Sequence, residues 1–178
     1  MDLDAFWRIV DGARSNASSD QDFLRRIEAR LLELQPDELM GFERQFEKIH
    51  TGSCSWNLWG AAYLMNGGCS DDGFEYFRAW LMAQGRRTFE KAVEDADTLA
   101  MLPDPQGGRS RRYRELEEFM YVAREIYEEK TSEEMPVSDS DFLQGVDWRD
   151  FDVRWNFDDP VEMERRYPKL FAIYRGSP

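Results

Sequence analysis

Residues 67–86, GGCSDDGFEYFRAWLMAQGR, constrain this chain more than any other stretch. Twin glycines stop one helix, Ser70 with two aspartates starts the next, and Gly85 stops that one in turn. Punctuation this tight predicts short helices packed into a compact bundle. It also puts Arg78 on the same helix as Phe74, Phe77 and Trp80, so a cation is expected beside aromatic packing.

The same signals recur on either side. Asp2 or Asp4 caps a first helix to about Ala13, with Phe6, Trp7, Ile9 and Val10 on its apolar side. Ser18 or Ser19 caps a second, in which Phe23, Leu24, Ile27, Leu31 and Leu34 step by three and four. Pro36 opens a third, with Asp37 and Glu38 near the positive end of the dipole and Leu39, Phe42, Phe46 and Ile49 as its stripe. Ser53 or Ser55 starts WNLWGAAYLM, which is apolar nearly all round and therefore central. A sixth helix is expected over residues 86–95, with Phe89, Ala92 and Val93 inward.

LPDPQGG, residues 102–108, reads as a linker. Residues 113–129 are predicted as one long acidic helix carrying Leu116, Phe119, Met120, Ala123, Ile126 and Tyr127 on one face. Residues 131–141 read as an acidic loop. In the tail, Phe142, Trp148, Phe151, Trp155 and Phe157 alternate with charges; they are expected to wrap the chain's own core, with docking of a second chain as the alternative. Pro160 opens a last helix toward Met163 and Tyr167, and Leu170, Phe171 and Tyr174 clamp the end onto the body. No repeat and no strand pattern is evident. The predicted fold is all-α: a single-domain orthogonal bundle of about six to eight helices with an irregular aromatic-rich C-terminal tail. Its parts are a helical body over 1–130, an acidic, partly irregular loop over 131–159, and a C-terminal helix and tail over 160–178.

Composition narrows the function. With 178 residues, an apolar fraction of 42% and an aromatic fraction of 14%, the chain can bury a substantial core. Its mean hydropathy of -0.70 reflects charge and not missing hydrophobes. Thirty-six acidic and 23 basic side chains give a net charge of -13, which repels phosphate backbones and anionic membranes. Nucleic acid is therefore not an expected partner class. Cys54 and Cys69 form no CxxC pair and read as reduced, buried thiols. With His50 as the lone histidine, zinc lacks ligands, and no metal or other cofactor is expected. The start, MDLDAFWRIV, has no basic n-region, and no apolar run reaches the ~20 residues of a membrane span, so a cytoplasmic location is expected.

Trp59 and Ala61-Ala62-Tyr63, followed by GGCSDD, Phe74, Tyr76-Phe77-Arg78, Trp80-Leu81 and QGR, resemble a bacterial domain-of-unknown-function family numbered 4240. The likeness is close over residues 59–99 and weaker over 6–46 and 113–127. Where a typical member has Asp-Pro-Asp-Ser before Leu-Ala, this chain has Asp95-Ala96-Asp97-Thr98. The resemblance implies a bacterial, cytosolic, stand-alone domain. It carries over no catalytic residue.

At about 100° per residue, Phe74, Phe77 and Leu81 share the buried stripe of the fifth helix. Asp71 and Arg78 edge one side of it; Trp80 and Gln84 edge the other. Asp71 and Asp72 fit helix capping, where the field that stabilises the carboxylates also makes them poor bases. Arg78 must find acceptors: Asp71, Asp95, Asp97 or helix-end carbonyls within the fold, or else an anionic ligand or a partner's carboxylate.

Arg109, Arg111, Arg112 and Arg114 cluster at the expected start of the long helix, a weaker anion-binding candidate. His50 is expected to cap a helix C-terminus as a cation. The expected function is a module that binds a small anionic molecule or a protein partner. Its groove is walled by Trp59, Tyr63, Phe77 and Trp80, with Arg78 as its charge and Asp71, Asp72 and Gln84 at its edge. The competing expectation is a metal-assisted hydrolase or lyase using Asp71 and Asp72, with Arg78 clamping substrate.

Overall fold

A computed structural model describes residues 1–102, 114–136 and 153–175. Its elements in order are α1 (Leu3–Arg14), α2 (Asp20–Leu32), α3 (Pro36–Gly52), α4 (Trp56–Asn66), α5 (Asp71–Ala83) and α6 (Arg86–Glu94). After these come a 3-10 turn over Ala96–Met101, another over Glu117–Met120, then α7 (Val122–Thr131), α8 (Pro160–Arg166) and α9 (Pro168–Tyr174). The protein is an all-α bundle, and the described residues include no strand. None of their helices is long and apolar enough to cross a membrane.

Local chemistry sets the helix starts. Asp2, Ser19, Ser55 and Ser70 each accept a backbone N–H in the first turn of α1, α2, α4 and α5. Gln35 and Glu38 close a reciprocal capping box ahead of α3. The corner between α5 and α6 is made by Gly85, whose φ of +91° favours glycine. A Cβ there would sit 2.7 Å from Asp11 Oδ1, the oxygen that accepts the Arg86 N–H and so caps α6 from α1.

Three sequence expectations need correction. Residues 113–129 do not form one helix: 114–116 are non-helical, 117–120 form a 3-10 turn and α7 begins at Val122. The cause is tertiary, because the Leu116 N–H bonds the Tyr76 carbonyl and the Arg114 N–H bonds Asn66 Oδ1, which draws the chain away from helical geometry. Val93 points outward at 44% exposure while Phe89 and Ala92 are buried. Thr131 closes α7 and does not open a loop.

One continuous core holds the bundle together. Phe6, Phe23, Ile27, Leu31, Leu39, Phe74, Phe77 and Leu81 are fully buried in it. α3 packs on α7, α1 on α2, and α5 on the 117–120 turn, while α9 sits against α4 and the 96–101 turn. Two devices dock the C-terminal helices. Asp97 accepts the N–H groups of Lys169 and Leu170, capping α9 from a distant turn. At Gly60 the absent side chain makes a notch for Tyr167: a Cβ there would lie 2.3 Å from the tyrosine oxygen, which donates to the Asn57 carbonyl at 2.7 Å.

Candidate functional site

The polar end of α5 explains itself residue by residue. Ser70 caps the helix, and Asp71 and Asp72 lie exposed in its first turn, where the dipole favours their charge. Arg78 is buried, only 2% exposed. Its guanidinium pairs with Glu75 one turn earlier, donates to the His50 carbonyl at 2.7 Å and to the Phe74 carbonyl at 3.4 Å, and lies 4.9 Å above the Phe74 ring. The acceptor is thus neither Asp71 nor Asp95 nor Asp97. It is Glu75, together with a carbonyl at the last turn of α3. Arg78 serves as the cationic cap of α3, the part assigned from sequence to His50.

His50 is held down to about 4, first by burial and then by the Arg78 cation, so it is neutral at pH 7. It stacks on Phe46, and since the Glu75 carbonyl 2.9 Å from Nε2 can only accept, Nε2 carries the hydrogen. Burial pushes the Glu75 carboxyl up, with Arg78 pulling the other way. The Cys54 and Cys69 thiols are also raised by burial, Cys69 to about 12, which makes both poor nucleophiles at neutral pH.

Three of the four rings read from sequence as walls of a groove, Trp59, Phe77 and Trp80, join Phe74 in a stack running inward from the surface, while Tyr63 lies against Phe157. Trp59 lies parallel to Phe74 at 5.1 Å, Phe74 neighbours Phe77 at 6.4 Å, and Phe77 neighbours Trp80 at 5.4 Å. Phe77 and Trp80 are core, while Trp59 and Tyr63 remain half-buried on the outer face of α4. Gln84 accepts from Arg14 and donates to the Trp80 carbonyl. Arg114 turns inward as well, bonding the Tyr174 hydroxyl at 2.6 Å and lying 5.9 Å from the Trp80 ring. Arg109, Arg111 and Arg112 lie outside the described residues.

These contacts centre on the glycine-punctuated signature, which lies inside the region that the family comparison matches. A family model described as "Protein of unknown function (DUF4240)" matches residues 1–129. The chain belongs to that family. No curated protein and no solved structure matches it. In DUF4240 terms, the Ser-Asp-Asp start, Arg78, Gln84 and Gly85-Arg86 are fold-holding groups in this chain. The matched region ends inside α7, so α8, α9 and the segment leading to them lie beyond it.

That segment supplies what the sequence reading missed. Residues 153–159 run as an irregular strap over the outer face of α4. Phe157 stacks on Trp56 at 4.6 Å and lies 5.4 Å from Tyr63 and 6.2 Å from Trp59. Trp155 sits under the Arg166 guanidinium at 3.6 Å, beside Trp56 and Tyr167. Trp56 Nε1 donates to the Trp155 carbonyl at 3.0 Å, and the Tyr63 hydroxyl donates to Asp158 Oδ1 at 2.5 Å. Trp155 and Phe157 therefore wrap their own chain, as expected; Phe142, Trp148 and Phe151 lie outside the described residues.

A second buried polar group was missed too. Glu43 and Glu47, four apart on α3 and both at least nine-tenths buried, are gathered by Arg124 of α7. Burial pushes the Glu43 carboxyl up against the pull of Arg124. The signal was present in the sequence, since these positions continue the three-and-four spacing from Leu39.

Proposed function

We propose that the protein is a helical binding module for a protein partner and that the aromatic face of α4 is the surface it uses. Trp59 and Tyr63, with Trp56, offer broad apolar area and polar tips on a rigid helix, the chemistry that interface anchors share. The observation that carries the reading is that this face accepts an irregular segment, through ring stacking and the two hydrogen bonds made by Trp56 and Tyr63. A small anionic ligand is the weaker reading, because the Arg78 guanidinium is already engaged with Glu75 and the His50 carbonyl. No observation favours the hydrolase alternative: Asp71 and Asp72 are exposed helix-start residues, and among the described residues no three His, Cys, Asp or Glu side chains form a metal-holding group.

The test is site-specific photo-crosslinking in the cells that make the protein. A photoreactive phenylalanine at position 63 is expected to capture a discrete protein adduct, while one at exposed Leu32 captures none. Equal, diffuse labelling from both positions would refute the reading.

A further inference from the structure

The strap reveals more than that the α4 face is sticky; it displays the kind of chain that fits. Every contact in the seat has a definite chemical partner. Phe157 fills the site between Trp56, Trp59 and Tyr63, and Trp155 fills the neighbouring one between Trp56, Tyr167 and the Arg166 guanidinium. The backbone carbonyl of Trp155 meets the Trp56 indole N–H, and the Asp158 carboxylate meets the Tyr63 hydroxyl. The recognised pattern is therefore tryptophan, any residue, phenylalanine, acid, presented as an irregular segment that turns at Asn156–Asp159, which is residues 155–158 of this chain.

Three features mark the strap as a replaceable occupant and not as core. Trp155 and Phe157 are only half-buried, and Arg154, Asn156 and Asp158 are exposed, whereas Tyr167 and Leu170 just downstream are fully buried. The strap's own turn bonds are internal: the Asp158 N–H goes to Asn156 Oδ1 and the Asp159 N–H to the Asn156 carbonyl. In addition, Trp155 Nε1 is buried with no hydrogen-bond partner among the described residues. A buried donor left unmade lowers the strength with which the strap holds its seat. Meanwhile α8 and α9 stay attached through Tyr167 and Asp97, so release of the strap does not require the C-terminal helices to leave.

We infer that the α4 face is a peptide-docking groove for an irregular Trp-x-Phe-acid segment of a partner protein, and that residues 155–158 occupy it as an intramolecular competitor. This rests on the binding-module reading above and adds to it the ligand class and its regulation. The tethered strap has a high effective concentration, so it screens the groove from weak ligands and yields to a partner that binds tightly or at high density.

The test uses the full chain and a fluorescein-labelled synthetic peptide with the sequence of residues 153–159, followed by fluorescence anisotropy. A Trp155→Ala, Phe157→Ala double variant is expected to bind the peptide at least about tenfold more tightly than wild type, because its competitor is removed. Adding Tyr63→Phe to that variant, or replacing the peptide's phenylalanine with alanine, should weaken binding. Phe157→Ala alone, a milder change, serves if the double variant loses its helical circular dichroism. Equal affinity for wild type and strap variant, or no saturable binding by a folded strap variant, overturns the inference. If the peptide fails while crosslinking at position 63 still yields a discrete adduct, the ligand class is wrong and the face is right. If both fail, the face itself is wrong.

Discussion

The two sides of this molecule treat their polar groups in opposite ways. Around α3, α5 and α7, buried charges are paired across the helices: Arg78 with Glu75 and the His50 carbonyl, and Glu43 and Glu47 with Arg124, although Glu47 Oε2 has no partner among the described residues. On the outer face of α4, aromatic rings are left half-buried and covered by an irregular segment whose own rings are half-buried too. A matched, buried pair is costly to break because either partner alone is stranded. A half-buried ring under a strap is cheap to uncover. The first arrangement suits a rigid support, and the second suits a surface that exchanges one occupant for another.

The sharpest way to break this contrast is at Arg78. Arg78→Ala strands the α3 carbonyl and opens a cavity beside Phe74, and it should cost about 3 kcal/mol in urea unfolding, or about 6–12 °C in the thermal midpoint. That figure sits at the low end for a broken buried pair because Glu75 keeps partial access to water. A loss below about 1 kcal/mol would mean that the cation is not a structural member.

Acidification probes the same region next. In the folded state His50 takes its proton near 4, against 6.5 in the unfolded chain. Between those values the unfolded state binds a proton that the native state refuses, so this contribution is complete above pH 6.5 and is lost as pH falls toward 4, a loss on the order of 3 kcal/mol. The raised carboxyls of Glu75 and Glu43 act with the opposite sign above their usual range, so the comparison to make is wild type against His50→Gln. The stability gap should shrink over that interval. The imidazole proton resonance, from the sole histidine, should stay unshifted until near pH 4; a midpoint near 6.5 would contradict the burial argument.

On the other side, the anchor and the strap should separate. Gly60→Ala drives a methyl into the Tyr167 hydroxyl and should cost about 1–3 kcal/mol in thermal unfolding, loosening α8 and α9 together. Phe157→Ala removes a half-buried ring and should cost only about 1 kcal/mol, read as a midpoint shift of about 2–4 °C. If Phe157→Ala proves as damaging as Gly60→Ala, the strap belongs to the core and the contrast disappears.

Much of the scaffold was legible beforehand because it rests on local chemistry. Ser70, Ser55, Ser19 and Asp2 cap the helices their sequences point to, and Gly85 turns the corner that QGR marks. What was misread depends on long-range pairing. The 113–129 stretch has helical periodicity, yet two hydrogen bonds to α4 and α5 pull its beginning off the helix. Helix angles place Asp71 above Arg78, but the guanidinium folds back a single turn to Glu75 and reaches across to α3, which no wheel can show. Likewise the aromatic tail announced itself by composition, while its seat on Trp56, Trp59 and Tyr63 arises only when residues about 100 positions apart meet.

The most direct measurement is a side-by-side comparison, by NMR, of side-chain hydrogen exchange at Trp56 Nε1–H, covered by the strap, and Arg78 Nε–H, sealed in the support. The account predicts that the arginine proton exchanges only through global unfolding, while the indole proton exchanges through strap opening with protection lower by about 100-fold or more. Equal protection at the two sites would contradict it.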